Sequence, residues 1–539
     1  MAKFAVKTKA PKIASVTIAA PKGVIKTKSA TPTTVTYEGA AGFERKAKSE
    51  LFLLAVTNLV SESTFYESGK ARDERFVELI HKVVAKDPAW VASFVPYLRD
   101  TLNMRTASIV MAAEYVKGGG PNGRKVIASA LSRAEEPSVL IGYWHKFYGK
   151  NLPQPVKRGV ADAVQRLYNE KSVIKWDSDS LSPRFGDVIE MTHAKGQAPW
   201  QHDLFRYAID KRHNREDLSR NTESLSVIRA YRALMAMPVG ERRPLLDKAI
   251  ESGDLSPFEG AGLTWENLSG WLQGPMDAAA WQLVIPQMQY MATLRNLRNF
   301  DEASISAEAQ AAVIAKLTDP EEVKASRQLP MRFYTAYKNV TSAHYVSALE
   351  TALDMTLANI PSLKGRTLVL VDTSGSMSGP FSGGNTRSWQ HSGEAKTSTL
   401  WEMAALFGSA IAIRAEHADL AYFQSDSGKI DFKRNASILR TIEAFKPHVG
   451  GGTNGHQALA RHFDGHDRVV YVTDEQFHPG GRMDVKSKMY VFNVAGYRTA
   501  AFSSNDGVYS FGGLSDKAFA AIEAIENFKG ETWPWDKKS

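Results

Sequence analysis

The stretch Arg366-Thr-Leu-Val-Leu-Val-Asp372 constrains this chain more than any other: a short run of β-branched and leucine residues with no polar alternation, ending abruptly on a carboxylate. A strand that is apolar at every position has no solvent face. It therefore belongs in a mainly parallel sheet covered by helices on both sides. The residues that follow keep this rhythm. Their spacing predicts helices over 398–416, 438–445, 456–463 and 516–528, and strands over 418–425, 468–473 and 488–495. The expected architecture of this third is α/β and doubly wound.

Ligands of such sheets bind at the carboxyl ends of the strands, and the polar motifs of this chain lie there. Asp372-Thr-Ser374-Gly-Ser376-Met-Ser378 places one carboxylate and two hydroxyls on a tight loop. Gly450-Gly-Gly-Thr453-Asn-Gly455 adds a hydroxyl on a glycine-rich loop, and Val470-Tyr-Val-Thr473-Asp474 is an apolar strand ending in a second carboxylate. Hard cations such as Mg²⁺ take oxygen ligands, keep several waters and need only one or two carboxylates. Asp372, Ser374, Ser376, Thr453 and Asp474 meet that need and leave a position open for an acidic group of a partner. Taken alone, the first motif also reads as a polar turn opening a helix; three segments at three strand ends favour the cation. No nucleophile with a neighbouring base is evident, and His456 and His478 read as surface or satisfied residues, so the expectation is binding and not an enzyme.

The rest of the chain has a different rhythm. From about 38 to 360 the apolar spacing is helical, for example over 50–61, 75–85, 90–98, 107–116, 159–168 and 226–235, with no alternating strand expected. Lys86-Asp87-Pro88-Ala89-Trp90 and Glu135-Glu136-Pro137-Ser138-Val139 echo each other at an offset of 49 residues, which suits a solenoid of helix pairs. The chain is too long, at 539 residues, for one core. It has no Cys, which fits a reducing or indifferent compartment, and no apolar run long enough for a membrane span. A net charge of +9 suits a polyanionic partner. The first 37 residues carry seven Lys and no acid, so they serve either as a solubilising tail or as a basic arm adding phosphate contacts.

A phosphate loop would suggest an ATPase beside the metal domain, but Gly118–Gly123 is followed by Arg124-Lys125-Val126 and the pattern fails. The three metal segments resemble the metal-ion-dependent adhesion site (MIDAS) of von Willebrand A domains. The segment before them resembles the TROVE module of the Ro ribonucleoprotein family. Three places carry that likeness: the helix Pro155-Val-Lys157-Arg158 through Arg166-Leu-Tyr168-Asn-Glu170-Lys171 with the following Asp187-Val-Ile-Glu-Met-Thr192-His193-Ala-Lys195; Trp281 through Pro286-Gln-Met288 to Leu294-Arg295-Asn296-Leu297; and Ser326-Arg-Gln-Leu-Pro330-Met-Arg-Phe333.

The resemblance implies a basic tail over 1–37, an all-α, HEAT-like helical-repeat ring over 38–362, and a von Willebrand A domain over 363–539. It implies that Ser374, Ser376 and Thr453 contact the metal directly or through water, with Asp372 and Asp474 ligating through water or holding the hydroxyls. The glycine- and serine-rich segment 379–396 is longer than such loops and is placed to cover the site. In the family the outer face binds small Y RNAs, and a positive central hole takes single-stranded 3′ ends of misfolded non-coding RNA. His193 matches a histidine of the Y RNA face. Two neighbouring basic positions do not match, because Asp177 and Asp179 intrude there; Lys175 and Arg184 are the substitutes in space. His193 also reads as a helix-end residue on the C-terminal dipole. Lys157, Arg158, Arg166, Arg295 and Arg298 are candidates for contacts with RNA phosphates. The resemblance further implies a monomeric ring, a cytoplasmic location and, as a partner tethered by Y RNA, an exoribonuclease. The competing reading is a metal-dependent protein-binding adaptor on a helical platform.

Overall fold

The computed structural model describes residues 33–36, 39–57, 68–102, 104–215, 222–258, 260–326, 328, 330–358, 362–380, 398–434, 437–479, 487–497, 499–502, 508–512, 522, 533 and 535. These fall into two compact units, 1–79 with 357–532 and 80–356 with 533–539. The basic tail as far as residue 32 and the helix expected over 516–528 lie outside the described residues, apart from Ile522.

The first unit contains nine strands among the described residues: β1 (Thr34–Val35), β2 (Ala41–Glu44), β3 (Leu363–Asp372), β4 (Ala415–Phe423), β5 (Ser427–Lys429), β6 (Arg468–Thr473), β7 (Lys488–Asn493), β8 (Thr499–Ala500) and β9 (Val508–Gly512). Six form one sheet in the order β5-β4-β3-β6-β7-β9. All its pairs are parallel except the hairpin of β4 with β5. The apolar strand β3 sits at the centre, where the winding changes direction. Both of its faces are covered. Leu368 and Leu370 share a core cluster with Ala458 and Leu459 of the helix Gly455–His462. On the other face, a Cβ at Gly408 of the helix Leu400–Arg414 would stand 2.4 Å from Val371, so only glycine allows that helix so close to the sheet. A Thr399–Glu402 capping box starts this helix.

The sequence predicts no strand before residue 363, yet β1 and β2 form. At two and four residues they are too short for alternation to register; β2 pairs antiparallel with β1 and with β8, over 450 residues later. The segment 38–79, expected with the helical domain, belongs to the sheet unit. Arg45 pairs with Glu475 at 2.5 Å, Arg72 donates to the Ala495 carbonyl, and Arg75 donates to Glu50 and the Gly496 carbonyl. Helical periodicity reports that a helix has an apolar face. It does not report what covers that face.

Among its described residues the second unit is built of helices, as expected, from the end of the helix Gly69–Lys86 to Ala343–Ala358. Asp87, Asn169, Thr264, Asp277 and Ser306 each cap a helix with a side-chain oxygen. The 49-residue echo is weaker in space than in sequence. Asp87 accepts from the Trp90 N–H ahead of it, whereas its counterpart Glu136 is the first residue of its helix and accepts from the Ser132 and Arg133 N–H groups behind it. Trp533 and Trp535 pack on Trp90, and Trp535 stacks on Phe94 at 4.7 Å.

Candidate metal centre and basic surface residues

At the carboxyl edge of the sheet three loops are stitched together by hydrogen bonds. The Gly375 N–H donates to the Gly451 carbonyl at 3.0 Å and the Gly450 N–H to the Thr373 carbonyl at 2.8 Å, which joins the first loop to the second. The Thr473 hydroxyl donates to Asp372 Oδ2 at 2.5 Å, joining β6 to β3. The His478 N–H donates to the Thr453 carbonyl at 2.8 Å and closes the set. All five residues picked from sequence are buried at this edge.

Asp372 is held on both oxygens: Oδ1 accepts from the Ser374 N–H at 2.9 Å and Oδ2 from Thr473. The Ser374 and Ser376 hydroxyls are 3.2 Å apart. Asp474 Oδ1 accepts from the Gln476 N–H at 3.0 Å. Burial, and then the charge of Asp474, push the Asp372 carboxyl above the usual carboxylate range, against hydrogen bonds from Ser374 and Thr473. Two acids buried within each other's field, beside neutral hydroxyl oxygens, are a donor set that fits a hard divalent cation. Thr473 is a positioning residue that sequence reasoning missed. Its place directly before Asp474 was the available signal.

The segment 379–396 lies largely outside the described residues, which omit 381–397. Its two ends are neighbours: Pro380 bridges Thr399, and the Leu400 N–H donates to the Gly379 carbonyl at 3.0 Å.

The basic residues named from sequence divide into several kinds. Lys157 is half-buried and Arg158 exposed on the helix Gln154–Leu167. Arg166, exposed, donates to the Ala128 and Leu131 carbonyls, which satisfies the end of the helix Gly123–Ala130. Lys175 is exposed, with its Nζ 4.9 Å from the Trp176 ring. His193 is exposed in the left-handed conformation (φ 54) at the end of the helix Phe185–Thr192. Gln165 donates to the Lys195 carbonyl at 2.8 Å, tying the turn after His193 to the helix that carries Arg166. Arg295 is exposed on the helix Tyr290–Ala303, and Arg298 pairs with Glu302 at 3.1 Å.

Arg184 departs from the expectation. Its guanidinium pairs with Asp177 at 3.0 Å and Asp179 at 2.6 Å, and its side chain is 11% exposed. Burial opposes ionisation of Asp177, but Arg184 and Lys211 outweigh it and lower its pKa. The acids that interrupt the basic turn are therefore structural partners of Arg184, which is committed to the fold.

Residues 261–344 match the family model of the TROVE domain. No curated protein matches the chain in sequence. Among solved structures, the chain is similar to the crystal structure of the Deinococcus radiodurans Ro (RSR) protein, with a TM-score of 0.59, 16% identity, and coverage of 89% of this chain and 100% of that one. The segment matched by the TROVE model includes Arg295, Arg298 and Pro330 to Phe333, the same places that carried two of the three resemblances in sequence. Residues 261–344 are thus similar to the TROVE domain, and the chain shares the fold of the solved Ro protein.

Proposed function

We propose that the protein is an RNA-binding scaffold of the Ro type, acting in non-coding RNA quality control. The observation that carries this reading is a TROVE segment, residues 261–344, in a helical unit with exposed cations on separate helices: Arg158, Lys175 and Arg295. In this reading the helical unit forms a ring whose positive hole takes single-stranded 3′ ends of misfolded RNA. A Y-like RNA lies on the face bearing Lys175 and His193. Arg184 leaves the RNA set because its charge is satisfied internally. A tethered exoribonuclease and a cytoplasmic setting belong to the same proposal.

Phosphate contacts release counterions, so affinity should fall steeply with salt. About six contacts would weaken binding on the order of 10³-fold between 50 and 200 mM salt. A filter-binding titration of an RNA with a protruding single-stranded 3′ end measures this. Flat salt dependence, or equal binding of a blunt duplex, overturns the reading.

The donor set of Asp372, Ser374, Ser376, Thr453 and Asp474 supports a second role, in which a divalent cation, Mg²⁺ by its ligand chemistry, docks an acidic group of a protein partner. The two roles use different units and are compatible in one molecule.

A further inference from the structure

The helix Glu136–Tyr148 carries an exposed aromatic ring that no contact within its unit explains. Phe147 is 55% exposed, the most open of the large apolar side chains among the described residues. It is not isolated. Tyr143, one turn earlier, meets it with ring centroids 4.7 Å apart, and Lys146 holds its Nζ 5.1 Å from the Phe147 ring. Beside them Tyr148 contacts the buried Trp144 at 5.0 Å, with Lys117 Nζ 4.6 Å above its ring.

The Tyr143 and Tyr148 rings are held in place from below. Glu114 is fully buried and accepts from the Tyr143 hydroxyl at 2.6 Å and the Tyr148 hydroxyl at 2.7 Å, and its Oε2 is 2.7 Å from His81 Nε2. This carboxylate spends its charge on three partners beneath the surface. Lys117 and Lys146, set over the Tyr148 and Phe147 rings, are exposed. The patch therefore presents two anchored tyrosines and an open phenylalanine beside two exposed lysines.

We propose that this patch, centred on Phe147, is a base-stacking platform for single-stranded RNA, with Lys117 and Lys146 on the adjoining phosphates. A single strand alternates apolar base faces with anionic phosphates, which matches exposed rings interleaved with lysines. Stacking on an aromatic ring tolerates any base, so the platform reads strandedness and not sequence. Tyr143 and Tyr148, already anchored through Glu114, lose little freedom when a base arrives. The proposal rests on the RNA-scaffold reading above and adds to it a site on helices other than those bearing Lys175, His193 and Arg295.

The test uses the full-length protein and a fluorescein-labelled decauridylate, followed by anisotropy from 50 to 200 mM salt. Phe147→Leu should weaken binding on the order of 10-fold while leaving the salt slope unchanged. Phe147→Trp should bind at least as well as the wild type. Lys117→Gln and Lys146→Gln should each reduce the slope of log K against log salt by about 0.7, the value for one phosphate of a single strand. Because Phe147 lies at the surface, these variants should keep the wild-type circular dichroism and melting temperature. Wild-type affinity in Phe147→Leu, or equal weakness of the Leu and Trp variants, overturns the platform and points to an apolar protein contact or to no role; the scaffold reading would then stand. Absence of any decauridylate binding by the wild type, together with absence of binding to the 3′-tailed RNA, overturns both.

Discussion

Asp474 and Glu475 are consecutive acids at the end of one strand, and the structure puts them to opposite uses. Asp474 lies within the electrostatic field of Asp372 at the candidate cation site. Glu475, with φ 63, turns the other way, is fully buried, and takes hydrogen bonds from Arg45, Asn493 and the Ala501 N–H. A non-glycine residue in that conformation persists only where its surroundings over-determine it, and these three donors do so. His462 offers a titration at the same scale. Burial, then the nearby Arg461 and Lys429, lower its pKa, and its Nε2 lies 3.1 Å from the Ser427 hydroxyl. The folded state thus binds this proton less readily than the unfolded chain, whose value is about 6.5. Its contribution to stability is complete above that value and is lost as the pH falls through the folded pKa. Urea unfolding between pH 8 and 5 should therefore show a steeper fall for the wild type than for His462→Gln; parallel curves would remove His462 from the account.

At the scale of elements, the N-terminal strap is the feature that sequence periodicity could not place. Strand β2 pairs with β8, Thr36 donates to the Phe477 carbonyl at 2.7 Å, and Arg45 reaches Glu475, so the strap is fastened beside the loop that carries Asp474. A Cβ at Gly42 would lie 2.4 Å from the Thr499 methyl on β8. Gly42→Ala should therefore destabilise the sheet unit by about 1–3 kcal/mol through overpacking. Adding Thr499→Ala should restore much of the loss, measured as the coupling in a double-mutant cycle of chemical denaturation. Simple additivity would show that this strand pair is not held at the described distance. The loops of the candidate cation site were legible in advance because each carries its own short motif at the carboxyl edge of the sheet. The strap was not, because its partners lie more than 400 residues away.

For the whole molecule, two compact units predict two calorimetric transitions, since each has its own core. Ligands that bind only the folded state raise the transition of the unit they bind, by about 2.7 kcal/mol at 100 times the dissociation constant. Mg²⁺ should raise the transition of the sheet unit and a 3′-tailed RNA that of the helical unit. Asp372→Ala should abolish the first shift and leave the second. It removes one of two mutually repelling buried carboxylates, so the fold itself should survive. A Mg²⁺ shift that persists in Asp372→Ala would place the cation elsewhere.

The sequence by itself determined the α/β sheet, the five oxygen-bearing residues at its carboxyl edge, and the helical nature of the preceding segment. Each of these is written in local periodicity or in a motif at the end of a strand, where nearby residues dictate backbone and polarity. Long-range contacts settled that 33–79 belongs with the sheet, that Arg184 serves Asp177 and Asp179, and that Phe147 stands open beside Tyr143. Burial and pairing depend on which distant side chains arrive at a place. A helix as apolar as Glu136–Tyr148 looks the same in sequence whether a ring on it is covered or exposed.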